Sequence, residues 1–149
     1  MEKITIALRY GENFAPAEGT IGAHNQIILK NGFVWFGKMG KPISNNVIDL
    51  LRVVKCEKIL LISSGKYERY WAYIEEITRN LDDYSAVPEY YRDKVEHVGV
   101  WFKITKFEPA PKDVMSKCII RSSGVSLSTV SRSSMNPFFI IKYEESEED

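Results

Sequence analysis

The sequence predicts an α+β fold in which helices flank a curled, barrel-like mixed β-sheet. Three observations lead there. Segments with a two-residue apolar alternation interleave with segments of helical spacing. One run, "KILLISS", is apolar throughout, as a strand covered on both faces must be. No internal repeat divides the chain, and 149 residues at 44% hydrophobic and 12% aromatic supply one core. The domain is therefore placed at residues 1–143, with 144–149 as an acidic tail or the start of a linker.

Ile4 to Tyr10 reads as a strand, and the stretch "GENFAPAEG" breaks it. Thr20 is placed to cap a helix over residues 21–31, where Ile21, His24, Ile27 and Ile28 share a face and Gly32 stops the helix. "FVWFGK" forms a second strand. Ser44 caps a helix that carries Val47, Ile48, Leu51 and Val54 at helical spacing. "KILLISS" is the central strand, and "RYWAYIEEITRN", aromatic and β-branched, is expected to be the longest. "VPEYYRD" gives one helical turn with Pro88 at its first position. A strand "VGVWFKITKFE", a short helix "PKDVMSKCI" and the closing strand "PFFIIKY" complete the order, with a polar, Ser-rich loop before that last strand.

Several function classes are disfavoured. No apolar stretch approaches a membrane span, and the N-terminal residues lack the pattern of a signal peptide, so a cytoplasmic protein without a membrane partner is expected. Cys56 and Cys118 lie far apart in apolar settings, which suits buried free thiols and no metal site. No Walker-type loop, dinucleotide fingerprint, zinc-protease or nucleophile-elbow motif occurs. His24 falls on an apolar helix face, where a core histidine bonded to backbone is expected rather than a base. No catalytic residue and no cofactor are assigned, and an enzyme is not expected. The twenty basic and twenty acidic residues balance only because five of the acidic ones fall in 144–149. The body is thus mildly basic and can meet a polyanion.

Strand alternation places Val98, Val100, Phe102 and Ile104 on one face and Trp101, Lys103 and Thr105 on the other. By the same count Trp71 joins Tyr73, and Trp35 joins Phe33 opposite Val34, Phe36 and Lys38. Three tryptophans from one sheet can wall a concavity that stacks a planar or cationic group; packing under a helix is the alternative. Trp101 is expected half-exposed on the ligand side. "RSSGVSLSTVSRSSMNPFF" sets eight hydroxyl residues beside two arginines. Hydroxyls, backbone N–H groups and arginine suit phosphate contacts, or simply a solvated loop. Lys38, Lys41, Arg121, Arg132, Ser133 and Ser134 are the expected phosphate-binding residues.

The order "GTIGAHNQIILKNGFVWFGKMGKP", "ILLISSGKYERYWAYIEEI", "VPEYYRDKVEHVGVWFKITKFEP" and "SSMNPFFIIKY" resembles the PUA-like superfamily that includes EVE, ASCH and YTH domains. The resemblance implies a small curved β-barrel with flanking helices that binds nucleic acid, DNA being favoured slightly over RNA. YTH domains hold a methylated adenine in an aromatic cage. An EVE-like module also stands at the N-terminus of some McrB proteins, so the resemblance implies an AAA+ GTPase and a nuclease as partners in modification-dependent restriction. Trp35, Trp71 and Trp101 are then the expected cage walls, with Tyr73 beside Trp71 and with Tyr90 and Tyr91 completing or covering the site. Asn136 is expected to read a base edge, or else to serve the turn before Pro137. The function expected is to hold a flipped or single-stranded base, methylated bases included, in an aromatic pocket. The alternatives are an RNA-binding module without modified-base selectivity and a small-ligand or peptide sensor.

Overall fold

The computed structural model describes residues 1–11, 15–63 and 68–145. Residues 146–149, most of the expected acidic tail, lie outside the described residues. The elements run β1 (Glu2–Tyr10), α1 (Gly19–Asn31), β2 (Val34–Met39), α2 (Asn45–Val53), β3 (Lys58–Ser63) and β4 (Arg69–Thr78). A 3-10 helix (Glu89–His97), β5 (Val98–Pro109), α3 (Val114–Lys117), β6 (Ile119–Ile120), α4 (Leu127–Ser133) and β7 (Phe138–Glu144) follow.

One seven-stranded sheet has the order β2-β5-β4-β3-β1-β7-β6. Among the described residues only β1 and β3 pair in parallel; every other neighbouring pair is antiparallel. All six residues of β3 are buried, as its unbroken apolar run demands. Irregular register within β4–β5 and β2–β5 bends the sheet, because a bulge increases local twist. The expected barrel is nevertheless not closed. The free edge of β2 already has partners: Trp35 N–H donates to the Ala86 carbonyl at 2.9 Å, and Gly37 N–H donates to the Tyr91 hydroxyl at 3.2 Å. The segment from Ala86 to Tyr91 thus stands where a barrel-closing strand would bond.

One face of the sheet carries the main core. Ile6 and Leu8 of β1, Ile59 and Leu61 of β3, Phe102 and Ile104 of β5, and Ile48 and Leu51 of α2 pack together there, with α1 laid on β2 and β5. The outer face splits into two clusters. One joins Leu60, Ile62, Phe139 and Ile141 to Val114, Met115 and Leu127 from α3 and α4; the other joins Val87, Tyr91 and Trp101 beneath the 3-10 helix.

Four local expectations change. Thr20 lies inside α1 and its hydroxyl donates to the Gly11 carbonyl at 2.8 Å, so it ties the helix to the end of β1 instead of capping it. β5, at twelve residues, exceeds the ten of β4. The Ser-rich loop contains α4, capped by Ser126, whose hydroxyl accepts from Thr129 N–H at 3.3 Å. Ile119 and Ile120 pair with β7 as a seventh strand. Gly32 and Ser44 stop and start their helices as expected, the former at a φ of 85°.

Candidate functional site

The three tryptophans do not share one cage: Trp35 packs against the outer cluster that holds Trp101, and Trp71 lies in the other. Trp101 is 2% exposed, its ring stacked at 15° and 6.5 Å on Tyr91 under the 3-10 helix. That corrects the half-exposed, ligand-side ring expected of it. Trp71 is 6% exposed in the other outer cluster, its ring 4.8 Å from that of Tyr143. The Lys58 ammonium lies 4.5 Å from the Trp71 ring centre, 5.5 Å from that of Tyr73 and 5.4 Å from that of Tyr143. Its carboxylate partner is Glu145, at 3.5 Å. Trp71 and Tyr73 therefore do form an aromatic box, but the chain's own cation fills it. Tyr73 also donates to Glu108 at 3.2 Å, and burial followed by that carboxylate raises its pKa. Trp35 is half-buried, edge-on to Phe33 at 6.3 Å.

The cleft that remains open lies where the sheet fails to close. The C-terminal end of β1, α1, β2 and the 3-10 helix enclose about 220 Å³ lined by Tyr10, His24, Phe36, Lys38, Tyr90 and Tyr91 among others. The His24 ring stacks obliquely on Phe36 at 4.9 Å, and Tyr90 meets Tyr91 edge-on at 4.9 Å. Burial pushes the His24 pKa down to about 4, against the opposing bond to Thr20, so the imidazole is neutral. Its protons can then be placed. Nδ1 sits 2.7 Å from the Thr20 carbonyl, which can only accept, so Nδ1 donates there and Nε2 is left as an acceptor 2.9 Å from the Tyr91 hydroxyl, nearer to its one proton than the competing Trp35 carbonyl at 3.3 Å. Tyr91 in turn accepts from Gly37, and burial raises its pKa further from neutrality.

Gly37 is required at this point by space. A Cβ there would stand 2.8 Å from the Trp101 ring and 2.9 Å from a Val98 methyl. Gly37→Ala is expected to destabilise the domain by about 1–3 kcal/mol, the usual range for overpacking, and to displace Tyr91. Denaturant melts and the Tyr91 ring resonances check this.

The expected cations divide. Lys38 is buried and donates to the carbonyls of Met39 (3.1 Å) and Lys41; burial, then the neighbouring Lys41, lowers its pKa. Its ammonium thus braces the turn after β2 from the lining of the cleft. Lys41 and Arg121 are exposed and line a second groove of about 310 Å³ with Ser122 and Asn136. Arg132 is exposed on α4, where Nε donates to the Ser128 carbonyl. The Ser133 hydroxyl donates to Val130 on the same helix, and the Ser134 hydroxyl accepts from Asn136 N–H, so both serve local turns.

Sequence reading missed Arg9. It lines the cleft, and its guanidinium donates at 2.9 Å to each of the carbonyls of Ser131, Ser134 and Asn136. An arginine among the apolar residues of β1 is the one signal that pointed to it.

Comparison with curated proteins gives no match, and comparison with solved structures gives none either. A family model described as Pua-like matches residues 6–139, which take in the second half of β1, α1, β2, the 3-10 helix and the start of β7, and with them every wall of the cleft. The chain belongs to the Pua-like family.

Proposed function

We propose that the chain is a nucleic-acid-binding module that takes one unpaired base into the cleft between β1 and β2, DNA being the favoured partner and a methylated base the favoured guest. The observation that carries this reading is the lining. His24, Phe36, Tyr90 and Tyr91 give an aromatic recess in which His24, Tyr91 and Gly37 bond one another, with Arg9 and Lys38 on the same lining. At about 220 Å³ it falls below the roughly 300–1,000 Å³ of drug-sized pockets, so it suits a single ring system and not a base pair. Phosphates would run over Lys41 and Arg121 in the neighbouring groove. Binding, not catalysis, fits His24, whose two nitrogens are both engaged. The resemblance to EVE-type modules suggests service beside an AAA+ GTPase and a nuclease, and the neighbours of the coding sequence would test that setting.

The direct test is anisotropy with short methylated and unmethylated oligonucleotides over a salt series. Tyr90→Ala is expected to weaken binding by about 1–3 kcal/mol, the worth of one aromatic stack, with the salt slope unchanged. Lys41→Ala and Arg121→Ala should each flatten that slope by about one unit, alike for all sequences. Salt-independent binding of an uncharged metabolite would support the second reading, a small-ligand sensor, which the aromatic part of the lining also favours. Wild-type affinity in all three variants would reject the cleft as the site.

A further inference from the structure

Met135 is 90% exposed. A lone exposed apolar residue needs no explanation, but the backbone around this one does. Arg9 bonds the carbonyls of Ser134 and Asn136, the residues on either side of it, together with that of Ser131. Asn136 N–H donates to the Ser134 hydroxyl, and Arg9 N–H donates to the Pro137 carbonyl. An exposed tip is thus fixed by a cluster of bonds, and a flexible apolar side chain is held out from it into solvent.

Its position gives the tip a use. Arg9 lines the aromatic cleft, while Asn136 and Pro137 line the groove that holds Lys41 and Arg121. Met135 is therefore tied through its neighbours to both, to the recess proposed for a base by Arg9 and to the groove of the cations by Asn136. Extruding a base from a duplex leaves a gap in the stack, and apolar wedges such as methionine fill such gaps elsewhere. Resting on the base-binding reading, we infer that Met135 is a stacking wedge, that its partner is a DNA duplex with one base extruded into the cleft, and that Arg9 is the positioning residue that aims it. Single-stranded DNA has no gap to fill, so the wedge acts on duplex alone.

The test compares a short fluorescein-labelled DNA duplex with one central mismatch against the mismatched strand alone. Met135→Ala is expected to bind the duplex about tenfold more weakly and the single strand unchanged, with Met135→Phe restoring duplex affinity. Thermal midpoints should not move, since the side chain touches little. Equal losses on both probes, or no loss on the duplex, would overturn the wedge. Wild type that binds the single strand and not the duplex would overturn the wedge while leaving the base-binding cleft standing; wild type that binds neither would overturn both.

Discussion

Trp101→Ala is expected to lower the unfolding free energy by about 3–5 kcal/mol, as much as Phe102→Ala does. Phe102 is fully buried in the main core, and Trp101, on the opposite face of the same strand, is nearly as inaccessible. The reason is the roof. Val87 and Tyr91 close over the indole, and Gly37 leaves it space on the neighbouring strand. Truncation would open a cavity and release Tyr91, so the His24 bond would loosen as well. Urea melts of the two variants side by side decide the matter: a Trp101→Ala cost below about 1 kcal/mol would mean that the 3-10 helix does not seal the ring.

The second large effect is acid sensitivity. His24 has a folded-state pKa of about 4 against an ordinary 6.5, so between those values the unfolded chain binds a proton that the folded chain refuses. Stability from this group is complete above pH 6.5 and is lost as pH falls towards 4. The loss amounts to about 3 kcal/mol. His24→Gln keeps an amide donor and acceptor but cannot titrate over that range. The wild type should lose stability over that interval beyond what the variant loses, and parallel pH profiles would show that the imidazole is not buried neutral.

Much of the architecture was legible because apolar spacing is set by burial. Alternation in "VGVWFKI" separated Val100 and Phe102 from Trp101 correctly but put Val98 on the wrong face, since the irregular register at Met39 leaves it packed with Trp101; the continuous run in β3 marked the middle of the sheet. α4 was not legible, since only Leu127 and Val130 of its residues turn towards the core and serines carry the rest. Nor could alternation say what covers each outer face: it placed Trp71 and Trp101 on strands of one sheet, but α3 and α4 cover the former and the 3-10 helix the latter. The cleft was half legible. Tyr90 and Tyr91 were expected at the site, and His24, read from its apolar helix face as a core histidine bonded to backbone, is 1% exposed and bonds the Thr20 carbonyl; that it also borders the cleft was not legible, because Phe36 and Tyr91 come from distant parts of the chain.

The pairing of β1 bears on how the chain is made. One edge of β1 bonds β3, and the other bonds β7, so that Glu2 sits opposite Glu144. A ribosome delivers β1 first and β7 after every other strand. Until then the nascent chain holds one of its most apolar strands with an open edge, a template for pairing with another chain. Closing so long a loop also carries a large entropy cost before any contact rewards it, which slows the last step of folding. The Arg9 side of the cleft gains its carbonyl partners, Ser131, Ser134 and Asn136, only when that late part of the chain is made.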